Sequence, residues 1–111
     1  MLKNRAVLFV DDDNSVLSTL TRLFYREEYQ VVVANSAVAA LSVLSKQKID
    51  LLVSNQLMPG MSGAEFLQQV DHQFPEIVKI LMTGYADIES LLDIIDQCNV
   101  INLLPKPWKN E

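Results

Sequence analysis

The sequence predicts an α/β fold in which a five-stranded parallel sheet carries helices on both faces. Short apolar runs alternate with stretches whose apolar residues recur at helical spacing, which gives the order βαβαβαβαβ over 111 residues. Alternation of this kind is typical of parallel strands joined by right-handed helical crossovers. A chain of this length is expected to form one domain. In such folds ligands bind beyond the carboxyl ends of the strands.

The apolar runs are the predicted strands. The first is continuously apolar, as expected of a strand buried on both faces, and the second is rich in valine. In chain order the predicted strands are Ala6–Val10, Tyr29–Ala34, Ile49–Ser54, Ile77–Met82 and Val100–Leu104.

Amphipathic stretches that follow capping residues are the predicted helices. Asp13 or Asn14 can cap a helix that runs from Ser15 to about Glu28. Further helices are predicted after Asn35 or Ser36, after Ser62 and ending before Pro75, and after Asp87. The intervening segments 55–63 and 83–86 contain glycine or proline and are predicted to be loops.

Composition and charge exclude several classes of function. The net charge of −5 argues against direct binding of nucleic acid, because phosphate recognition needs a basic surface. No apolar run is long enough to span a membrane and the N-terminal residues lack the apolar region of a signal peptide, so a cytoplasmic location is expected. The single cysteine, Cys98, excludes an internal disulfide framework, and the single histidine, His72, excludes a histidine-rich metal site.

Polar residues follow the strands closely, and the predicted fold brings them to one edge of the sheet. Taken singly, each has an ordinary explanation as a solvated helix start, a turn residue, a turn cap or a surface lysine. Together, acids, an amide, a hydroxyl and a cation at successive strand ends indicate a site for a divalent metal and a phosphoryl group. The residues are Asp11, Asp12 and Asp13 after strand one, Asn55 after strand three, Thr83 after strand four and Lys106 after strand five.

Four motifs occur along the chain in a characteristic order and spacing. They are Phe-Val-Asp-Asp-Asp at 9–13, Met-Pro-Gly-Met-Ser-Gly at 58–63, Leu-Met-Thr-Gly-Tyr-Ala-Asp at 81–87 and Lys-Pro-Trp at 106–108. In these motifs the sequence resembles the receiver domain of two-component response regulators, and the resemblance runs from about Arg5 to Trp108. The resemblance implies a flavodoxin-like (CheY-like) doubly wound sheet with the strand order 2-1-3-4-5.

The resemblance also implies a phosphorylation mechanism. In the family, Mg²⁺ lies beside an aspartate after strand three, which accepts a phosphoryl group from a histidine kinase or phosphotransfer protein. Asp11 and Asp12 match the metal-binding acids, and Leu57 matches the position whose backbone carbonyl binds the metal. Thr83 and Lys106 match the switch hydroxyl and the lysine that bind phosphoryl oxygens.

The phospho-acceptor position departs from the family pattern. The position four residues before Pro59 holds Asn55, and a neutral amide is a poor nucleophile toward phosphorus. We therefore expect no phosphorylation at residue 55 and no catalytic residue. Mg²⁺, if bound by Asp11, Asp12, Asn55 and the Leu57 carbonyl, is expected to bind weakly, since hard cations depend on anionic oxygens. Pro105 and Leu103 also depart from the usual pattern near the lysine.

The second departure is length. The family continues with a fifth helix, whereas only four residues follow Pro107. Residues 1–111 are therefore interpreted as a receiver domain that is a C-terminally truncated part of a longer response regulator.

The resemblance, with Asn55 at the acceptor position, implies a bacterial, non-enzymatic signalling module that regulates an output domain or partner by protein contact. The output expected from the resemblance is a cyclic-di-GMP phosphodiesterase or an AAA+ activator. The surface of helix four and strand five is the expected contact and could also form a homodimer. The alternative is a conventional receiver whose aspartate was changed to Asn55 by design. A flavodoxin-like enzyme is disfavoured, because three acids rather than a glycine-rich loop follow strand one.

Overall fold

The structure, a computed structural model, describes residues 5–24, 29–84 and 100–106, which contain five strands and three helices. The described elements are β1 (Arg5–Val10), α1 (Asn14–Leu23), β2 (Tyr29–Ala34), α2 (Ala37–Lys46), β3 (Leu51–Asn55), α3 (Gly63–Gln73), β4 (Val78–Gly84) and β5 (Val100–Lys106). The helix predicted after Asp87, Cys98 and the Pro107–Trp108 part of the last motif lie outside the described residues.

The strands form one parallel sheet in the order β2-β1-β3-β4-β5, which confirms the predicted fold class. The central strand β1 pairs with β2 on one side and with β3 on the other. Because the strand order reverses direction beside β1, the carboxyl ends of β1 and β3 border the crevice in which such folds bind ligands.

Strand β4 extends further than the sequence predicted. Thr83 and Gly84 were expected in a loop, but they pair with Pro105 and Lys106 of β5. The register between these strands shifts between Lys79 and Ile80. A glycine signals a turn only locally, and here the neighbouring strand supplies a pairing partner that overrides this signal.

The helices begin at the predicted caps. The side chains of Asp13, Ser36 and Ser62 accept hydrogen bonds from backbone N–H groups in the first turns of α1, α2 and α3, as N-caps do. Helix α1 ends at Leu23, before the predicted end near Glu28, and residues 25–28 lie outside the described residues. None of the helices in the described ranges is long and apolar enough to span a membrane.

Two apolar clusters cover the two faces of the sheet. Beneath α2 and α3 the larger cluster includes Leu8, Leu52 and Phe66, all fully buried. Beneath α1 the smaller cluster includes Phe9, whose ring centroid lies 5.4 Å from that of Phe24 just beyond the end of the helix. Burial of both sheet faces explains why β1 reads as a continuous apolar run.

One charged side chain lies on the same face of the sheet as the larger cluster, because Lys79 alternates with Ile77 and Leu81 of that cluster. Lys79 of β4 is fully buried, and its Nζ lies 3.0 Å from Oδ1 of Asp71 in α3. The same ammonium donates a hydrogen bond to the backbone oxygen of Ile77 at 2.8 Å. Buried charges are tolerated only when they are paired in this way. The pair lies near the start of β4, at the opposite end of the sheet from the polar edge.

Candidate functional site

The carboxyl ends of β1 and β3 bring together the acids and the amide that the sequence singled out. Val10 pairs with Ser54, so Asp11 and Asn55 each come one residue after a paired position on adjacent strands. Asn55 in turn pairs with Met82, the residue before Thr83. The backbone of Lys106 lies at the same edge, opposite Gly84. The predicted site residues therefore share one edge, and for Thr83 and Lys106 the structure describes this backbone position.

The three consecutive acids have different surroundings. Asp11 is buried at 1% exposure, and its Oδ1 accepts a hydrogen bond from the backbone N–H of Asp13 at 3.0 Å. Asp13 caps α1, because its Oδ1 accepts from the backbone N–H of Ser15 at 2.9 Å. Asp12 is exposed and its Oδ1 lies toward β3. The solvated helix start considered for this run therefore describes Asp13 well, while Asp11 and Asp12 border the site.

The Asn55 side chain is buried and its amide group faces two oxygen atoms. Its Nδ2 donates to the backbone oxygen of Leu57 at 2.7 Å and to Oδ1 of Asp12 at the longer distance of 3.5 Å. Both oxygens are acceptors only, so the NH₂ group, and not the amide oxygen, must face them. The amide thus joins the turn after β1 to the loop after β3.

Gln56 anchors the loop after β3 to its surroundings. Its backbone N–H donates to the Met82 oxygen at 2.9 Å, and its backbone oxygen accepts from the N–H of Gly63 at 2.8 Å. Its side-chain Oε1 accepts from the backbone N–H of Ala64 at 2.7 Å, in the first turn of α3. No sequence pattern predicts this role, since the contacts join Gln56 to two other elements, α3 and β4.

Gly63 allows α3 to approach the end of β3 closely. A Cβ atom at this position would overlap the backbone oxygen of Asn55 and would lie 2.8 Å from the Asn55 carbonyl carbon. Any larger residue would therefore clash with the backbone of Asn55 and Gln56, which cannot move aside as a flexible side chain can. The resemblance placed Gly63 in a motif, but the close approach to Asn55 appears only in the structure.

A capping box holds the start of α3. The side chain of Ser62 accepts from the backbone N–H of Glu65 at 3.2 Å, and Oε1 of Glu65 accepts from the backbone N–H of Ser62 at 3.0 Å. Hydrogen bonds from the Ser62 backbone and then from its hydroxyl hold the pKa of the exposed Glu65 carboxyl below its usual range. The loop that carries Leu57 is thus fixed at both ends.

The magnesium ion implied by the family meets a pocket in which two of the predicted ligand oxygens already accept hydrogen bonds from Asn55. Of the four predicted ligand positions, Leu57 and Asp12 offer their oxygens to the nitrogen of Asn55. Asn55 itself presents Nδ2, which cannot bind a hard cation. Among the residues that the structure describes, no group of three or more His, Cys, Asp or Glu side chains is arranged to hold a metal ion. In this arrangement the donor set does not fit Mg²⁺.

Comparisons with known proteins identify the family to which the chain belongs. The sequence model of the response regulator receiver domain matches residues 7–111. The hydrogenase transcriptional regulatory protein HoxA of Cupriavidus necator is 35% identical over 106 residues, which are 96% of this chain and 22% of that protein. The DNA-binding transcriptional regulator NtrC of Proteus hauseri is 31% identical over 102 residues, or 92% of this chain and 21% of the relative. The chain thus spans about a fifth of the length of these relatives.

Solved structures show the same fold. The signal receiver domain of an HD domain-containing protein from Pseudomonas fluorescens Pf-5 superposes with a TM-score of 0.88 at 28% identity, covering 98% of this chain and 80% of that one. The structure named as adenylate cyclase from Rhodopirellula baltica superposes with a TM-score of 0.89 at 30% identity, covering 96% and 78% of the two chains. The match of the receiver-domain model to residues 7–111, with which the strand order of the sheet agrees, shows that the chain belongs to the response regulator receiver domain family.

Proposed function

We propose that this receiver domain regulates an output domain or partner protein by direct contact and is not phosphorylated at residue 55. The observation that carries the proposal is the chemistry of Asn55. Its side chain lies at the end of β3, at the position that the family gives to its phospho-acceptor, and directs Nδ2 into the pocket. An amide nitrogen has a delocalised lone pair and does not form the covalent phosphoryl intermediate that a carboxylate forms.

The rest of the pocket keeps the residue types of a receiver. We assign Asp11, Asp12 and the Leu57 carbonyl to the family's metal-binding positions, and Thr83 and Lys106 to its switch and phosphoryl-binding positions. Because Asn55 contributes no negative charge, Mg²⁺ binding is expected to be weak. The domain is accordingly proposed to act as a binding module and not as an enzyme.

The output is proposed from the relatives and from the resemblance. HoxA and NtrC are named as transcriptional regulators, and one structural neighbour is the receiver of an HD domain-containing protein. We propose that this domain belongs to a longer bacterial response regulator with an AAA+ activator or a cyclic-di-GMP phosphodiesterase output, acting in the cytoplasm. Its upstream partner would be a histidine kinase or phosphotransfer protein. Helix four and strand five are the proposed contact, including any homodimer contact.

Phosphorylation can be tested by intact mass. The chain is incubated with Mg²⁺ and acetyl phosphate beside the Asn55→Asp variant, and a phosphoryl group adds ~80 Da. We expect the wild-type chain to keep its mass while Asn55→Asp gains the phosphoryl group at residue 55. A mass gain that peptide mapping places at residue 55 of the wild-type chain would overturn the proposal.

A conventional receiver that was silenced by one substitution is the second candidate. The observation that favours it is that the other metal-binding and phosphoryl-binding positions keep the residues of the family: Asp11, Asp12, Leu57, Thr83 and Lys106. The codon for residue 55 in the source gene separates the two candidates. An aspartate codon there supports the second one, and an asparagine codon supports a receiver that naturally works without phosphorylation.

A further inference from the structure

The contacts of the Asn55 amide resemble those of a bridging cation. The backbone oxygen of Leu57 and Oδ1 of Asp12 belong to separate segments, the loop after β3 and the turn after β1. One atom, Nδ2 of Asn55, lies 2.7 Å from the first oxygen and 3.5 Å from the second. Both oxygens belong to positions that the family uses to bind its metal.

The chemistry of an NH₂ group suits this place. It carries two N–H donors and no acceptor, so it can satisfy two oxygens at once. One of the two oxygens belongs to a carboxyl group, and a hydrogen bond to a carboxylate is stronger than one between neutral groups. The short contact to Leu57 fixes the loop, and the longer contact to Asp12 adds attraction across the pocket.

The same contacts make Asn55 compete with a metal ion for its ligand oxygens. For its amide oxygen to ligate a cation, the side chain would have to turn over and give up the 2.7 Å hydrogen bond to Leu57. The cation would also have to displace Nδ2 from Asp12. Asn55 is therefore a competitor for two of the ligand oxygens, and not only a weaker ligand than aspartate.

We infer that the amide nitrogen of Asn55 takes the place of the family's divalent cation and holds the β1–α1 turn and the β3–α3 loop together without metal. The inference rests on the proposed function in so far as residue 55 takes up no phosphoryl group. It adds that the geometry of the loop around Leu57 does not depend on the concentration of Mg²⁺. A contact surface that includes this loop then keeps the same geometry at every Mg²⁺ concentration.

The experiment compares Mg²⁺ affinity in the wild-type chain, Asn55→Ala and Asn55→Asp by calorimetric titration at constant ionic strength. If Asn55 were merely a neutral ligand, alanine would remove an oxygen and weaken binding. If Asn55 competes with the cation, alanine frees Asp12 and Leu57 and strengthens binding. We expect Asn55→Ala to bind Mg²⁺ about fivefold more tightly than wild type, the factor that corresponds to one net hydrogen bond of about 1 kcal/mol.

Asn55→Asp is the control for an intact pocket and should bind more tightly than either of the other two proteins. Weaker binding by Asn55→Ala than by wild type, or equal binding, would overturn the inference. Both variants are first compared with wild type by thermal melting in EDTA, so that an unfolded variant is recognised.

A second measurement keeps the Asn55 side chain and follows its amide protons in wild type and in Asp12→Ala. By NMR, the two side-chain N–H protons of Asn55 should exchange with solvent more slowly than those of the exposed Asn35. In the Asp12→Ala variant, the amide protons of Asn55 should exchange faster than in wild type, while the exchange rate at Asn35 should stay the same. Exchange at Asn55 as fast as at Asn35 would contradict the inference. Neither readout depends on phosphorylation, so failure here and failure of the proposed function are distinguishable.

Discussion

Nζ of Lys79 lies 3.0 Å from Oδ1 of Asp71, and the two side chains differ in burial: the lysine is fully buried, whereas the aspartate side chain is 24% exposed. Although the distance is short, Oδ1 of Asp71 accepts no well-directed hydrogen bond from the described residues. The contact is therefore an ion pair, and the directed hydrogen bond of the ammonium goes to Ile77. The ion pair between Asp71 and Lys79 joins the end of α3 to β4.

The difference in burial between Lys79 and Asp71 predicts that removing one partner lowers the stability more than removing the other. Asp71→Asn leaves a buried ammonium without its counter-ion and is expected to lower the free energy of unfolding by about 3 kcal/mol. Lys79→Met leaves an aspartate whose side chain is still 24% exposed, and methionine fills the apolar space, so the loss should be smaller. Urea denaturation of both variants checks the order. An equal or larger loss in Lys79→Met would show that the aspartate, and not the lysine, needs the pair.

Gly63 is predicted to be intolerant of alanine although it lies in a helix. A Cβ would overlap the Asn55 carbonyl oxygen, and overpacking of this kind costs about 1–3 kcal/mol. This exceeds the gain of up to ~1 kcal/mol that alanine brings over glycine in a helix. Gly63→Ala should therefore melt at a lower temperature than wild type and shift the NMR signals of the Asn55 side chain.

Gly60→Ala is the matched control for Gly63→Ala. Gly60 has a φ of 84° and open space around its Cα, so alanine there is strained but displaces nothing. A loss of about 1–2 kcal/mol is expected from the left-handed backbone alone. The Asn55 signals should stay in place. If Gly63→Ala also left them unchanged, the close approach of α3 would not position the pocket.

The side chain of Gln56 is predicted to matter as an acceptor and not as an amide. Gln56→Leu removes the partner of the Ala64 N–H at the start of α3, and loss of such a capping interaction costs about 1 kcal/mol. Gln56→Glu keeps an acceptor and places a negative charge at the positive end of the helix, so it should be at least as stable as wild type. Thermal melting at neutral pH compares them. Equal stability of the leucine variant would contradict the capping role.

The capping box of α3 is predicted to make stability depend on pH. The pKa of Glu65 is lowered in the folded chain by hydrogen bonds from Ser62, so the unfolded chain binds the proton more readily. The contribution of Glu65 to the free energy of unfolding is complete at a pH above the ordinary glutamate pKa. It decreases as the pH falls below about 4–5. Glu65→Gln should remove this part of the pH dependence, because glutamine keeps an acceptor without titrating.

Ser62→Ala supplies the control for the pH experiment. It removes the hydroxyl that accepts from Glu65 and that also stabilises the carboxylate. The acid-induced loss measured by melting between neutral and acidic pH should therefore be smaller in Ser62→Ala than in wild type. An identical pH profile in wild type and in Glu65→Gln would mean that Glu65 does not contribute.

Much of the framework could be predicted because its signals are local. The valine-rich run at Tyr29–Ala34 is a strand with those bounds, and Ser36 and Ser62 cap helices where predicted. Capping and hydrophobic periodicity act over a few neighbouring residues, so they can be read from the chain. The order of polar residues along the strands then places Asp11 and Asn55 at one edge, because parallel strands end on the same side.

Other features depend on residues that meet only after folding. Lys79 lies inside a predicted strand, and its burial is decided by Asp71 of α3. Gly84 joins β4 because β5 lies beside it. Gln56 acquires its role from Ala64 and Met82. No pattern within a single segment predicts such contacts, because each partner comes from another element.

The sequence by itself determined that residue 55 is an amide at the end of a buried strand. It therefore also determined that this strand end carries no carboxylate at residue 55. Only the tertiary structure decided which atom of that amide enters the pocket. Nδ2 faces inward because folding brings the Leu57 carbonyl and the Asp12 carboxylate to the same side of Asn55, and two acceptors require a donor between them.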